Sequence, residues 1–430
     1  MLDIKWIRQN GERVQTVADQ KGIELSVKEL LDCDESRRKL LNEAEQHRES
    51  RNKTSQQIGR LVSRGDFMRV AALKAEVAQV NVELAMIEKE LTAAEERYAS
   101  LMQLVPNDVS PDTPIGRSDE DNVEIRRVGV PIAADFEMLD HIALGNMHGM
   151  IDIPRGVKTA GTRNYYLSGD GVLLHRAVQQ LALDLLLASG FTLLDVPLMV
   201  RPDAMRHTGF FPLGEDQIYK VAEENKVMIG TSEVPLVAYY SNEVVDVTDP
   251  LRLAAASVCF RSEVGSTGKD VQGLYRVHQF AKVEQVIVCE ADAELSDRLL
   301  GEITGNAEEL LRLLELPYRV MAVCTGDMSQ KTYKQYDIET WMPSRQAYGE
   351  THSSSNLHDF QARRANIRYR DTEGNLRYCH TLNNTAVASP RILIPLLENH
   401  QAADGSIYVP VALRPYLGGR ERLYPKAEQE

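Results

Sequence analysis

Residues 260–285 read FRSEVGSTGKDVQGLYRVHQFAKVEQ. The chain carries a formal charge of −14, yet this stretch gathers Arg261, Lys269, Arg276, His278 and Lys282, with Glu263 and Glu284 near its ends. Gly265, Gly268 and Gly273 lie between the basic groups. The pattern predicts two antiparallel strands joined by a glycine-bearing turn that handles phosphate. Arg261 and Glu263 would share one face of the first strand. Arg276, His278, Phe280, Lys282 and Glu284 would alternate along the second. Arginine matches phosphate oxygens in a two-pronged way, and a phenylalanine face stacks a nucleobase.

Three further segments carry related chemistry. GTSEVPL at 230–236 places Thr231 and Glu233 two apart, on one side of an extended strand, suited to a small polar ligand bearing an ammonium group. YGETHSSSNLHDFQARR at 348–364 puts Glu350 beside Ser353, and carboxylate plus hydroxyl is oxygen-ligand chemistry for Mg²⁺ with ATP. HTLNNTAVASPRILIPLLENHQ at 380–401 runs from polar groups into an apolar helix, with Arg391 after Pro390 at its start. Each segment also has a plain reading as a charged hairpin, a serine-rich loop or an ordinary helix start.

Outward from these segments the texture is that of a mixed domain. FTLLDVPLMV (191–200) and KVEQVIVCE (282–290) read as strands, and 174–189 and 293–315 as helices. An antiparallel sheet with flanking helices, of the α+β class, is expected over 123–430. NDVSPDTPIGRSDEDN reads as a boundary, with 109–122 as a linker.

Before that boundary the apolar residues Val70, Leu73, Val77, Val80, Leu84, Ile87, Leu91, Ala94, Tyr98 and Leu101 alternate at spacings of three and four. That is a coiled-coil seam. Residues 27–62 carry a weaker stripe through Leu30, Leu41, Ala44, Ile58 and Leu61. Gly65 is placed to end one helix and Asp66 to cap the next, and Pro106 stops the second. The expectation is an antiparallel helical hairpin over about 27–105 within a first domain of 1–108. Each helix would be on the order of 50 Å long. Near the tip stand Arg48, Arg51, Lys53, Arg60 and Arg64, whereas the base holds Glu29, Asp32, Asp34 and Glu35. A basic tip on an acidic chain fits a phosphate backbone, and a solvated charged face is the plain alternative.

Composition narrows the classes further. With 43% hydrophobic and 26% charged residues, the 430-residue chain reads as globular and of two or three domains. The net charge argues against a generally basic nucleic-acid binder. Five cysteines without a CxxC pair argue against a disulfide framework or structural zinc. The start, MLDIKWIRQNGERV, has no apolar stretch of the signal type, and no run of 18 apolar residues occurs. The expected location is the cytoplasm, with no membrane span.

Taken together and in this order, the segments resemble a known family. FRSE with LYRVHQFAKVE looks like motif 2 of the class II aminoacyl-tRNA synthetases, ASPR like motif 3, and GFTLLDVPLMV, with Pro197, like the motif 1 that builds the dimer interface. TSEVPL, SSSN with DFQARR, TGDMSQKTYKQYDIETWMP (325–343), LENHQAADGS and LRPYLGG are similar to the seryl-tRNA synthetases, over essentially the whole chain.

The resemblance implies a fold and a set of roles. The fold is the class II antiparallel sheet plus a coiled-coil arm that grips tRNA(Ser). The implied activity is ATP-dependent, Mg²⁺-assisted formation of seryl-adenylate and transfer of serine to tRNA, by a homodimer. Thr231, Ser232, Glu233, Glu284, Asn383 and Thr385 would bind L-serine. Arg261 would bridge the serine carboxylate and the α-phosphate, and Arg391 would hold the γ-phosphate; these are the two catalytic candidates. Ser262, Glu263, Arg276, Phe280, Glu350, Thr351, His352 and Ser353 would join them on ATP, with Glu350 and Ser353 as metal ligands. Arg48, Arg51, Lys53, Arg60 and Arg64 would contact tRNA.

The sequence departs from the common pattern at His352, where serine is usual, in NNTAVASPR, which replaces a glycine-rich version ending in GR, and around FFPLGEDQIYK. These departures leave open an inhibitor-resistant duplicate, and tRNA(Sec) stays open as a second acceptor. Two rivals differ in class. A relative that charges a carrier protein would lack the arm, and a binding protein that had lost catalysis would not need Arg261, Glu350 and Arg391.

Overall fold

The structure, a computed structural model, describes residues 1–264 and 273–426. Gly265, Gly268 and Lys269, read above as part of the phosphate turn, lie outside the described residues. The chain divides into two compact units, Asp3–Pro106 and Met1–Leu2 with Asn107–Glu430.

In the smaller unit, helices α1 (Val27–Val62) and α2 (Phe67–Leu104) form an antiparallel pair. Ser26 caps α1 by accepting from the Glu29 amide at 3.2 Å. Gly65 adopts φ +75° between the helices, and Asp66 accepts from the Arg69 amide at 3.3 Å to start α2. Val70, Leu84, Leu91 and Leu101 of the seam are buried, and its other positions are half-buried. Ala44 of α1 packs against Leu84 and Leu91. Arg48 spends its charge on Glu88 at 2.8 Å and Lys53 on Glu49 at 2.6 Å. Arg60 and Arg64 are exposed and Arg51 is half-buried, with no ion pair among the described residues.

The larger unit is built on eight strands: β1 (Val123–Val128), β2 (Thr192–Leu193), β3 (Leu251–Phe260), β4 (Gln279–Cys289), β5 (Tyr318–Ala322), β6 (Lys334–Met342), β7 (Ala347–Asn356) and β8 (His380–Ser389). Their order across the sheet is β1-β5-β6-β7-β8-β4-β3-β2. Every pairing is antiparallel except β2 with β3. Helices α3 (Asp170–Ala188) and α4 (Ala293–Leu313) cover one face. Val283, Ile287 and Cys289 point into that layer, so Phe280, Lys282 and Glu284 point the other way. Helix α3 is long and apolar enough by length and composition to cross a membrane. Its Leu174, Val178 and Leu186 are buried in the core instead.

Two bulges re-aim strand residues toward the open face. Glu350 and Ser353 are three apart and would face opposite ways on a regular strand. An extra residue of β7 opposite Ile338–Glu339 restores them to one side. A register shift between Thr385 and Val387 does the same for β8, so Asn383, Thr385 and Ala388 all face the same space.

Several sequence expectations change in detail. The first strand of the opening hairpin stops at Phe260 and the second starts at Gln279. Arg261, Glu263, Arg276 and His278 therefore lie in the connection and not on strand faces. Glu263 takes φ +51°, which breaks an extended run. The connection is pinned where Arg261 N donates to His278 O at 3.0 Å. Glu233 begins a short helix, Glu233–Ala238, and not a strand position. Residues 380–389 are strand β8, and the apolar helix begins only at Leu393, two residues past Arg391. FTLLDVPLMV is extended only at Thr192–Leu193 and Met199–Val200. Residues 109–122, read as a linker, run along the larger unit, with Thr325 N donating to Pro114 O at 2.9 Å and Gly326 N to Gly116 O at 3.1 Å.

Candidate active site

The face of the sheet away from α3 and α4 carries a cavity of about 280 Å³. Strands β4 and β8 form its floor. At their centre Glu284, fully buried, accepts from Asn383 Nδ2 at 3.0 Å and from Thr385 Oγ1 at 3.4 Å. Its other contact is the Lys282 ammonium at 2.5 Å, itself 7% exposed. Lys282 also donates to Thr385 Oγ1 at 3.3 Å. Asn383 Oδ1 is left buried without a hydrogen-bond partner. A lone buried acceptor at a cavity wall is where a ligand donor would be expected.

Beside this floor lies the Thr231–Glu233 turn. Thr231 Oγ1 accepts from the Glu233 amide at 3.2 Å. One oxygen of Glu233, Oε1, accepts from Lys331 Nζ at 2.5 Å and from Gln361 Nε2 at 2.7 Å. Burial lowers the Lys331 ammonium below the ordinary lysine value, against the opposing pull of Glu233. Ser232 does not line the cavity; its hydroxyl donates to Ala255 O at 3.4 Å.

Arg261 joins the two ends of the cavity. Its Nε donates to Gly230 O at 3.2 Å, and its guanidinium stands 5.3 Å from the Phe280 ring centroid. Glu263 lines the wall next to it and pairs with Arg276 at 3.6 Å. Arg276 itself stands behind Glu263 and outside the lining. Ser262 also stands outside, donating to Asp216 O at 2.6 Å.

At the opposite wall Arg391 donates through Nε to Tyr275 O at 3.1 Å and approaches Glu350 Oε2 at 3.6 Å. Its guanidinium lies 4.4 Å from the Tyr275 ring centroid, and Arg345 lies 4.1 Å from the same ring. Ser353 Oγ accepts from Gln335 Nε2 at 3.2 Å. The same amide donates to Asp337 Oδ1 at 2.9 Å. Burial, and then the neighbouring charge of Glu350, hold the Asp337 carboxyl well above the ordinary carboxylate range. Thr351 and His352 line the cavity behind these groups. Burial drops the His352 imidazole to about 3, so it stays neutral, and its Nδ1 shares a 2.8 Å hydrogen bond with Thr351 Oγ1.

Of the candidates read from sequence for serine and ATP, the fold therefore brings Thr231, Glu233, Arg261, Glu263, Phe280, Glu350, Thr351, His352, Ser353, Asn383, Thr385 and Arg391 around one cavity, with Glu284 beneath its floor. Ser232, Ser262 and Arg276 stand outside the lining. Lys282, Lys331, Tyr275, Asp327, Ser329 and Gln335 also line it and were not among the site residues read from sequence. Lys282 had a signal, since alternation from Phe280 and Glu284 puts it on the same face. Lys331 and Gln361 fall in segments that carried only the family resemblance, and nothing in their spacing announces Glu233, roughly a hundred residues away.

The geometry can be set against known proteins. Residues 219–400 match the family described as tRNA synthetase class II core domain (G, H, P, S and T). Residues 1–109 match the Seryl-tRNA synthetase N-terminal domain. The serine–tRNA ligase of Deinococcus radiodurans is 43% identical over 424 residues, 98% of this chain and 99% of that one. That of Rubrobacter xylanophilus is 41% identical over 427 residues, 99% of each. The crystal structure of seryl-tRNA synthetase from Pyrococcus horikoshii complexed with ATP is similar at a TM-score of 0.91 and 37% identity, covering 99% of this chain and 100% of that one. The chain belongs to the seryl-tRNA synthetase family.

Proposed function

We propose that this chain activates L-serine with ATP and transfers it to tRNA(Ser), releasing diphosphate and AMP. Support comes chiefly from one cavity lined by Glu233, Arg261 and Arg391, with Glu284 buried beneath its floor: two carboxylates fit for an ammonium beside two arginines fit for phosphate. ATP as the co-substrate is supported by the Pyrococcus horikoshii structure complexed with ATP and by one from Naegleria fowleri in complex with AMP, at a TM-score of 0.85 and 28% identity over 99% of both chains.

The reaction needs no protein nucleophile. The serine carboxylate attacks the α-phosphorus, the bond to the bridging oxygen breaks, and diphosphate leaves. A tRNA 3′-terminal hydroxyl then attacks the acyl carbon and displaces AMP. The protein positions the reactants and stabilises charge. In this reading Arg261 sits between serine carboxylate and α-phosphate, Phe280 stacks the adenine, and Glu263 and Arg391 hold the two ends of the nucleotide. Glu233 and Glu284 take the amino acid, while Asn383 Oδ1 and Thr385 close the space around its side chain. A hydroxyl-binding site of this kind discriminates against alanine by roughly 10⁴-fold, because its own polar groups are otherwise left unpaired.

The donor set suits Mg²⁺. Glu350 and Ser353 line one wall, and Asp337, buried just behind it on the strand paired with Ser353, adds a second carboxylate that repels Glu350; a cation would relieve that repulsion. Among the described residues no cluster of three or more His, Cys, Asp or Glu could hold a metal unaided. This fits an ion that keeps waters and shares substrate phosphates. Bound there, it would neutralise charge on the departing diphosphate. The native state binds the Asp337 proton more tightly than the unfolded chain does. Stability therefore falls as pH rises above about 4, the ordinary carboxylate value, toward the raised native value. Asp337→Asn should flatten that decline in a melting-temperature series against pH. Mg²⁺ binding to the wild type should release a proton and tighten with pH, measurable by calorimetry in buffers of different ionisation enthalpy.

The helical hairpin is the candidate tRNA arm, with Arg51, Arg60 and Arg64 offered to phosphates beyond the internally paired Arg48 and Lys53. Reversing Arg51, Lys53 and Arg60 to glutamate should weaken tRNA binding and flatten its log–log salt slope by roughly 2. Adenylate formation should stay within about twofold; its loss would count against a dedicated arm. A homodimer is supported by apolar side chains left exposed on α3 and just before it, namely Val172, Leu173, Leu187 and Tyr166. A cytoplasmic location follows from this function. ATP–diphosphate exchange with each standard amino acid, then charging of total tRNA, tests the whole. Exchange with serine and charging of serine tRNA is expected. Exchange without charging points to a carrier-protein substrate, and no exchange to a binding protein.

A further inference from the structure

The amino-acid end of the cavity holds two buried lysine–carboxylate pairs. Lys282 meets Glu284 at 2.5 Å with side chains 7% and 0% exposed, and Lys331 meets Glu233 at 2.5 Å with side chains 10% and 3% exposed. The Lys331 pair is held from behind. Gln361, fully buried, donates to the same Glu233 oxygen at 2.7 Å and to Thr208 O at 3.0 Å. Gln361 Oε1 accepts from Thr381 Oγ1 at 2.8 Å, so its amide is fixed in orientation. The Lys331 ammonium also stands 4.1 Å from the Phe210 ring centroid, another wall of the cavity. Glu233 Oε1 is thus occupied on two sides, and Oε2 is the oxygen left to face the cavity.

We propose that Lys331 is a positioning residue for substrate specificity. With Gln361 it turns Glu233 so that a single oxygen meets the substrate ammonium, and its charge makes this end of the cavity neutral. The inference rests on the serine-activating reading above. Two ammoniums and two carboxylates cancel at these pairs, Glu263 on the adjoining wall is answered by Arg276 at 3.6 Å, and Arg261 adds one positive charge beside them. A neutral end beside an arginine favours a zwitterion, whose ammonium and carboxylate are both answered. It disfavours an amine that carries the ammonium alone. Lys331 thereby adds discrimination at the carboxylate-bearing end of the substrate, separate from recognition of its hydroxyl.

The test uses the full chain and L-serinamide as a competitor of serine in ATP–diphosphate exchange. Serinamide keeps the ammonium and hydroxyl but has no carboxylate. In Lys331→Met the ratio of the serine KM to the serinamide inhibition constant should rise about tenfold or more, because a nearby positive charge has been removed. Lys331→Gln, neutral but polar, should do the same, and serves if the methionine variant folds poorly. Lys331→Arg, which keeps the charge, should hold the ratio near the wild-type value. Equal weakening of both ligands in the neutral variants would mean that Lys331 only packs the wall, and would overturn the proposal. Wild-type protein that exchanges with a different amino acid, or with none, would take the proposal down together with the serine reading.

Discussion

Serine-dependent ATP–diphosphate exchange by the Arg261→Ala variant should fall about a thousandfold in kcat/KM, with the melting temperature little changed. Arg261 touches both halves of the cavity, hydrogen-bonded to Gly230 beside the Thr231–Glu233 turn and set over the Phe280 ring. Among the described residues no other cation lining the cavity combines those two neighbours. Lys282 and Lys331 are each committed to a buried carboxylate, and Arg391 stands against Tyr275 and Glu350 on the opposite wall. Removing one preorganised donor at a reacting centre costs about a hundred- to a thousandfold, and a charged two-pronged donor belongs at the upper end. Arg261→Lys should recover little, since an ammonium cannot span carboxylate and phosphate in a planar fork. Retention of exchange within tenfold in the alanine variant would remove Arg261 from the reacting centre.

A second large effect is expected at Glu284, and here activity and stability should separate. Glu284→Ala strands the Lys282 ammonium in a buried site and leaves the Asn383 amide unanswered. Removing one partner of a buried pair typically costs about 3–5 kcal/mol, readable in urea denaturation. Glu284→Gln in a Lys282→Met background removes both charges at similar volume and should regain most of that stability. Neither variant should recover serine activation, which should stay down at least about a hundredfold, with the KM for ATP within a few-fold of wild type. Serine activation in the double variant would show that Glu284 only holds the fold together.

Much of the site was legible because its groups sit close together in sequence. Arg261 with Glu263, and Phe280 with Glu284, belong to one short stretch, and the resemblance to class II motifs supplied their partners. The detail that failed was local backbone. The strand reading of FRSE assumed that alternation continues past Phe260, whereas Glu263 adopts a left-handed conformation and Arg261 is tied to His278. The extended reading of TSE missed the short helix at Glu233, where the Thr231 hydroxyl takes the Glu233 amide. In both places a single local hydrogen bond or dihedral outweighed a weak period-two pattern.

The helical hairpin was determined by sequence alone. Its seam repeats over many turns, so each position reinforces the same register, and Gly65 and Asp66 mark the reversal. The family and the class of chemistry were likewise readable, since they depend on which residue types occur in which order. Only the tertiary structure decided how the cavity is charged. Glu350 and Ser353 share a face because of a bulge set by the neighbouring strand. Lys331 and Gln361 meet Glu233 across roughly a hundred residues of intervening chain. Buried charges are arranged by three-dimensional proximity and by the cost of leaving any one of them unpaired, and neither has a period that a linear sequence displays.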